Sequence, residues 1–123
     1  MTTIKRIIVI LYLLLPLHGA EQGKASIYST GCNNGTRTAS GVSLKNDSDM
    51  VAHKYLPFGT LVKITNLKNN KTTTATVVDR GPFVKGRIVD LTLGVANKLG
   101  FSMKQGITTV RVEVVGTVPQ KRK

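Results

Sequence analysis

A chain of 123 residues has room for one compact domain and a leader, and a formal charge of +12 restricts its partners to anionic ones. A single cysteine excludes an internal disulfide, and with only two histidines beside it there is no metal-ligand spacing, so neither metal nor cofactor is expected. Trp is absent and aromatics are sparse, which leaves few stacking platforms for bases and argues against nucleic acid.

In chain order, Lys5 and Arg6 precede an unbroken apolar run from Ile7 to Leu15, followed by Pro16, Leu17, His18, Gly19 and Ala20. A positive start, a short apolar stretch and a small-residue exit describe a secretory signal peptide. The run is shorter than the about 20 apolar residues of a spanning helix, although an uncleaved anchor is the alternative. The expected organisation is a signal peptide over residues 1–20, a domain over 21–117 and a basic tail over 118–123. Loss of Lys5 and Arg6 takes the charge from +12 to +10. Cys32 lies beyond a polar segment rather than directly after the apolar run, so lipid attachment is not expected. The mature protein is expected as a monomer in the periplasm or cell envelope, without a stable membrane span, facing an anionic envelope polymer.

Beyond the leader the pattern is one of short β segments divided by turns. Lys24–Ser29 alternates, with Ala25, Ile27 and Ser29 on one face. Residues 30–41 are rich in Gly, Asn, Thr and Ser and read as loop. Ser48–His53 predicts one helical turn with Ser48 as its cap. Leu61–Leu67 and Thr72–Val78 read as strands joined by a turn at Lys68-Asn69-Asn70-Lys71. Arg87–Leu91 is a further strand. Thr92 caps a helix with Leu93, Val95, Ala96 and Leu99 on its apolar side, and Gly100 ends it. Gly106–Val115 is the last strand. Five or six short strands with one or two short helices make the fold mainly β, and favour a small barrel because closure removes exposed edges.

Asp79 ends a β-branched strand just before Gly81-Pro82, so the barrel rather than a loose loop would hold it. It is either a proton-transferring carboxyl or a turn Asp that caps backbone N–H groups or pairs with Arg80 or Arg87. His53 is the one histidine beyond the leader, and serves either as a base or hydrogen-bond partner or as a structural imidazole. Asp90 either starts the helix or orients Arg87 or Asp79. Tyr28 belongs either to the core or to a surface that stacks on a sugar ring. Paired carboxyls with a histidine suit glycosidic chemistry. An intramolecular variant, in which a sugar hydroxyl attacks its own anomeric carbon, needs one group to protonate the leaving oxygen and then accept the attacking proton.

Gly23-Lys24-Ala25-Ser26-Ile27-Tyr28, Thr38-Ala39-Ser40-Gly41, Ala52-His53-Lys54-Tyr55-Leu56-Pro57-Phe58-Gly59-Thr60, Thr65-Asn66-Leu67, Asp79-Arg80-Gly81-Pro82-Phe83, Arg87-Ile88-Val89-Asp90-Leu91 and Leu99-Gly100 follow one another in an order and spacing that resembles the rare lipoprotein A (RlpA)-like domain. The resemblance runs from about Gly23 to about Val115. It implies a six-stranded double-psi β-barrel. It also implies an endolytic lytic transglycosylase that acts on peptidoglycan strands, preferring those free of peptide. Such an enzyme cleaves between N-acetylmuramic acid and N-acetylglucosamine and leaves a 1,6-anhydro end. Asp79 becomes the catalytic acid and then base, with His53 as its partner, and Tyr28, Thr38, Ser40, Arg80, Arg87 and Asp90 become substrate-binding residues. The sequence departs from the family at Val42, often acidic there, at Val78, commonly Asn or Thr, and at Ile27, often Trp. These departures keep a second reading open: a non-catalytic cationic glycan-binding or wall-loosening protein, like the double-psi barrels of expansins and barwin-like proteins. A third reading is a secreted effector or inhibitor that uses the barrel as an interaction surface.

Overall fold

The computed structural model describes residues 20–28 and 36–119. The leader before Ala20, Ser29, Cys32 and the Lys121-Arg122-Lys123 run lie outside the described residues. The strands are β1 (Ala20–Ile27), β2 (Met50–His53), β3 (Thr60–Asn66), β4 (Thr72–Asp79), β5 (Arg87–Leu91) and β6 (Ile107–Thr117), and the helix α1 (Leu93–Lys98) separates the last two. They close into a barrel in the order β1-β5-β2-β4-β3-β6. β1·β5 and β2·β4 are parallel, and the other four pairings are antiparallel. Closure gives every strand two neighbours, so no edge is left to pair with another chain.

Alternation in the sequence fills the interior. In β3, Val62 and Ile64 are buried while Lys63 between them is exposed, as the period of two requires. They meet Val77, Val89, Leu91, Val110 and Val112 in one apolar cluster, which Val95, Ala96, Leu99 and Phe101 extend from the helical side. The β3–β4 turn forms at the expected asparagines. Asn70 takes a left-handed φ of 62°, a conformation asparagine tolerates better than most residues, and its N–H donates to Asn66 O at 2.7 Å. The Asn66 side chain then donates to Leu99 O at 2.8 Å, tying this hairpin to the end of α1.

Thr92 caps α1 as the sequence implies, accepting from Val95 N–H at 3.4 Å and donating its hydroxyl to Ser48 O. Gly94 lets the helix approach the turn before β2, because a Cβ there would stand 2.8 Å from Asp47 O.

Most strand ends fall within two residues of expectation, and two segments differ by more. Residues 48–53 do not form a helical turn: Met50–His53 is a strand, held in parallel by β4 and antiparallel by β5. A segment this short cannot satisfy its backbone as an isolated helical turn, whereas two neighbouring strands supply partners on both sides. β1 also begins four residues before Lys24. Ala20 to Gly23 lack β-formers but pair with Glu113 to Val110 of β6, so tertiary pairing outweighs local propensity.

Candidate active site

Paired residues on neighbouring strands point to the same face of a sheet. Ser26 of β1 pairs with Asp90 of β5, Asp90 pairs with Ala52 of β2, and Ala52 pairs with Asp79 of β4. Val51, Val89 and Leu91, next to these positions, belong to the core, and the register shift that matches Val51 with Val77 but Ala52 with Asp79 leaves Val78 as an extra residue, so Asp79 does not follow Val77 into the interior. The row Ser26, Asp90, Ala52, Asp79 therefore faces away from that cluster, with the two carboxyls on either side of the Ala52 methyl, which is itself fully buried. Both carboxyls are partly exposed.

Asp79 is held at both oxygens. The Tyr28 hydroxyl donates to Oδ2 at 2.9 Å, and the Ala39 N–H donates to Oδ1 at 2.9 Å. The loop that supplies Ala39 is fastened to β4, since Ser40 N–H donates to Val78 O at 3.0 Å. Thr38 and Ser40 shape that loop. Their hydroxyls lie 3.0 Å apart, and the Thr38 hydroxyl also donates to Val42 O at 2.6 Å. Thr38 is buried and Ser40 half-buried, so the contacts observed for this pair set the backbone that presents Ala39. Tyr28 is neither core nor open stacking surface. It braces Asp79, and burial, with the Asp79 carboxylate second, pushes its phenol well above the ordinary tyrosine range.

Asp90 accepts a short hydrogen bond from the Ser26 hydroxyl. Burial raises its carboxyl above the usual carboxylate range and the Asp79 charge adds to this, while the Ser26 bond and the Arg87 guanidinium pull the other way. Asp79 and Asp90 are thus two neighbouring carboxyls with different hydrogen-bond partners, Tyr28 and Ala39 for the first and Ser26 for the second.

His53 stands apart from Asp79 in its contacts. It is 1% exposed and pairs with Val89, on the core side of β2. Its Nδ1 accepts from the N–H groups of Tyr55 and Leu56, both at 3.2 Å. An accepting Nδ1 leaves the ring proton on Nε2, and that nitrogen faces Glu21 Oε1 at 2.9 Å. Tyr55 also stacks edge-on against the ring, with centroids 4.6 Å apart.

Arg80 clamps the same loop. Its Nη1 donates to Leu56 O at 2.7 Å and His53 O at 3.3 Å, and the guanidinium lies 4.0 Å over the Phe58 ring. Arg87 lies on the outer face near Asp90 and makes no ion pair among the described residues. The structure thus gathers Tyr28, Thr38, Ser40, Asp79 and Asp90 at one place, with Arg87 beside them and with His53 and Arg80 as supports of the neighbouring loop. Sequence reasoning missed Ser26, the Ala39 N–H and Glu21. Ser26 and Ala39 sit inside motifs already singled out, but Glu21 has only its place among six acidic residues to mark it.

A model of the lytic transglycolase family matches residues 20–112, the barrel almost in full. The chain is 43% identical over 94 residues to the endolytic peptidoglycan transglycosylase RlpA of Campylobacter jejuni, covering 76% of this chain and 34% of that protein. It is 42% identical over 96 residues to the probable endolytic peptidoglycan transglycosylase RlpA of a Nostoc species, covering 77% of this chain and 26% of that one. The chain therefore spans only about a quarter to a third of the length of these relatives. Among solved structures, a mutant Clavibacter michiganensis expansin in complex with cellohexaose superposes with a TM-score of 0.62 at 21% identity, over 85% of this chain and 54% of that one, a likeness of fold. With the matched stretch reaching from the first residue of β1 into β6, the chain belongs to the lytic transglycolase family and its barrel is of the double-psi type.

Proposed function

We propose that this domain is an exported, endolytic lytic transglycosylase of peptidoglycan, working in the periplasm or cell envelope. The observation that carries the reading is Asp79, fixed by Tyr28 and Ala39 on the outer face with Asp90 across Ala52. The names of its relatives and the leader-like N-terminus support it.

In this mechanism a glycan strand lies across the face that carries both carboxyls. Asp79 gives a proton to the oxygen joining N-acetylmuramic acid to N-acetylglucosamine, and the bond from C1 to that oxygen breaks. The C6 hydroxyl of the same muramic residue attacks C1 and closes the 1,6-anhydro ring, and its proton passes to the Asp79 carboxylate. No water is consumed, and the acid is regenerated. The Tyr28 hydroxyl and the Ala39 N–H fix where the carboxyl stands, which counts because misplacement of about 1 Å can cost about a hundredfold in rate. Asp90, with Ser26, offers polar contacts to sugar hydroxyls. His53 and Arg80 hold the loop after β2 that flanks the strand.

The test is a digest of peptide-free glycan strands by the mature protein and by Asp79→Asn, read by mass spectrometry. Anhydro ends from the parent and none from Asp79→Asn, at equal melting temperature, are expected. Strand binding without anhydro ends, unchanged in Asp79→Asn, would instead establish the non-catalytic glycan-binding reading.

A further inference from the structure

Along the outer face, the row that carries Ser26 and Asp90 gives way to a basic one. Lys24 of β1 is the register partner of Arg87 of β5. The ladder is irregular between Lys24 and Ala25, and there both Ile88 and Val89 enter the core. Gly23 makes room for this, since a Cβ on it would meet Ile88 Cγ2 at 2.6 Å. Arg87 and Asp90, on either side of the two core residues, therefore share the outer face, and the Arg87 charge reaches Asp90. It does not pair with it: the close contacts between basic and acidic side chains among the described residues are His53–Glu21 and Lys98–Asp49. Lys24 is exposed and Arg87 half-exposed. Like charges directly opposite on neighbouring strands repel, and no carboxylate of the barrel is paired with either. An anion from outside would relieve that repulsion.

We propose that Lys24 and Arg87 bind a carboxylate of the substrate, namely the free lactyl carboxylate of a muramic acid residue whose peptide has been removed. The proposal rests on the peptidoglycan reading above and adds a basis for strand selection. On a peptide-bearing strand that lactyl carbonyl is an amide, uncharged and followed by a chain. On a bare strand it is an anion with two equivalent oxygens. A guanidinium fork takes both oxygens of such a group, and the ammonium beside it adds a point charge. The pair thus detects the missing peptide through the charge its removal exposes, and places that residue beside Asp90.

Binding reads this directly and independently of cleavage. Peptide-free strands are compared with the same strands after carbodiimide coupling of the lactyl carboxyls to methylamine, which neutralises them with little added bulk. Asp79→Asn protein is used so that neither ligand is consumed. It is expected to bind acid strands about tenfold more tightly than methylamide strands, the equivalent of about 1.4 kcal/mol, with the preference shrinking as salt rises. Lys24→Gln/Arg87→Gln in the same background is expected to bind both equally, as tightly as the parent binds the methylamide form. Equal binding of both strands by the parent, or a preference that survives the double substitution, would overturn the proposal. A preference that depends on Lys24 and Arg87, in a protein whose Asp79 form yields no anhydro ends, would overturn the transglycosylase reading alone.

Discussion

The Tyr28 hydroxyl donates to Oδ2 of Asp79 at 2.9 Å, joining the residue after β1 to the last residue of β4. One oxygen of the carboxyl is thereby oriented by a half-buried phenol and the other by a backbone amide. Tyr28→Phe removes the first contact and keeps the ring. A hydrogen bond to a charged group contributes about 1.5–3 kcal/mol, so the release of anhydro ends is expected to fall roughly tenfold to a hundredfold. Circular dichroism should show an intact barrel, and an unchanged turnover would remove Tyr28 from the mechanism.

Asp90 gives a pH-dependent prediction. Its carboxyl is raised in the folded protein, burial being the largest cause, so the folded state holds this proton more tightly than the unfolded chain. The cost of a charged Asp90 is absent below the ordinary carboxylate range. It grows as pH rises through that range towards the raised value, and is fully present above it. Asp90→Asn keeps an oxygen to accept from Ser26 and cannot ionise. Its melting temperature relative to the parent should therefore rise more at pH 7 than at pH 4. An equal change at both pH values would show that the burial of Asp90 carries no charge penalty.

The Glu21–His53 pair predicts a stability effect. Replacing His53 with Ala leaves the Tyr55 and Leu56 N–H groups without their acceptor and opens a void in a fully packed position. A loss of about 3 kcal/mol in urea unfolding is expected. Glu21→Gln keeps an acceptor for Nε2 and should cost less than about 1 kcal/mol. If His53→Ala unfolds like the parent yet releases no anhydro ends, the imidazole acts in the chemistry and not in placing the loop.

Arg80 is expected to act through the loop it clamps. Lys cannot reproduce the planar stack on Phe58 with simultaneous donation to two carbonyls. Arg80→Lys should speed hydrogen exchange at the Tyr55 and Leu56 amides about tenfold, on the scale of one lost charge-assisted contact. Exchange at Val62 and Ile64 in β3 should stay as it was. Unchanged exchange at Tyr55 and Leu56 would free Arg80 for a direct role towards the glycan.

How much of this was legible in the sequence depended on how far away each partner lies. β3, β4, β5, β6 and α1 carry their own signals: β-branched alternation, an asparagine turn, a Thr cap and a terminal Gly. β2 has four residues, too few for any period to show, and its partners lie in β4 and β5. Asp79 was visible as a carboxyl at a strand end, and the ordered motifs marked His53, Arg80 and Asp90. Apart from the local bonds of His53 to Tyr55 and Leu56, their contacts were not visible, because they join segments far apart in the chain. Arg80 could have reached into the cleft or back to the chain, and only folding brings the carbonyls of His53 and Leu56 within its reach. Glu21 precedes the first recognisable motif and meets His53 across 32 residues.

The pairing of β1 with β6 also governs when this protein can fold. Ala20 meets Glu113, and the ladder between them joins the first strand to the last. A chain that emerges N-terminus first, from a ribosome or through a membrane pore, presents β1 long before its partner exists. β3 waits for the same strand. Until β6 arrives, both keep an open edge and the interior stays wet, so the ring closes in one late, long-range event of the slow kind that non-local β pairings impose. A chain cut short before Ile107 is therefore expected to remain threadable and protease-sensitive, not to form a smaller barrel.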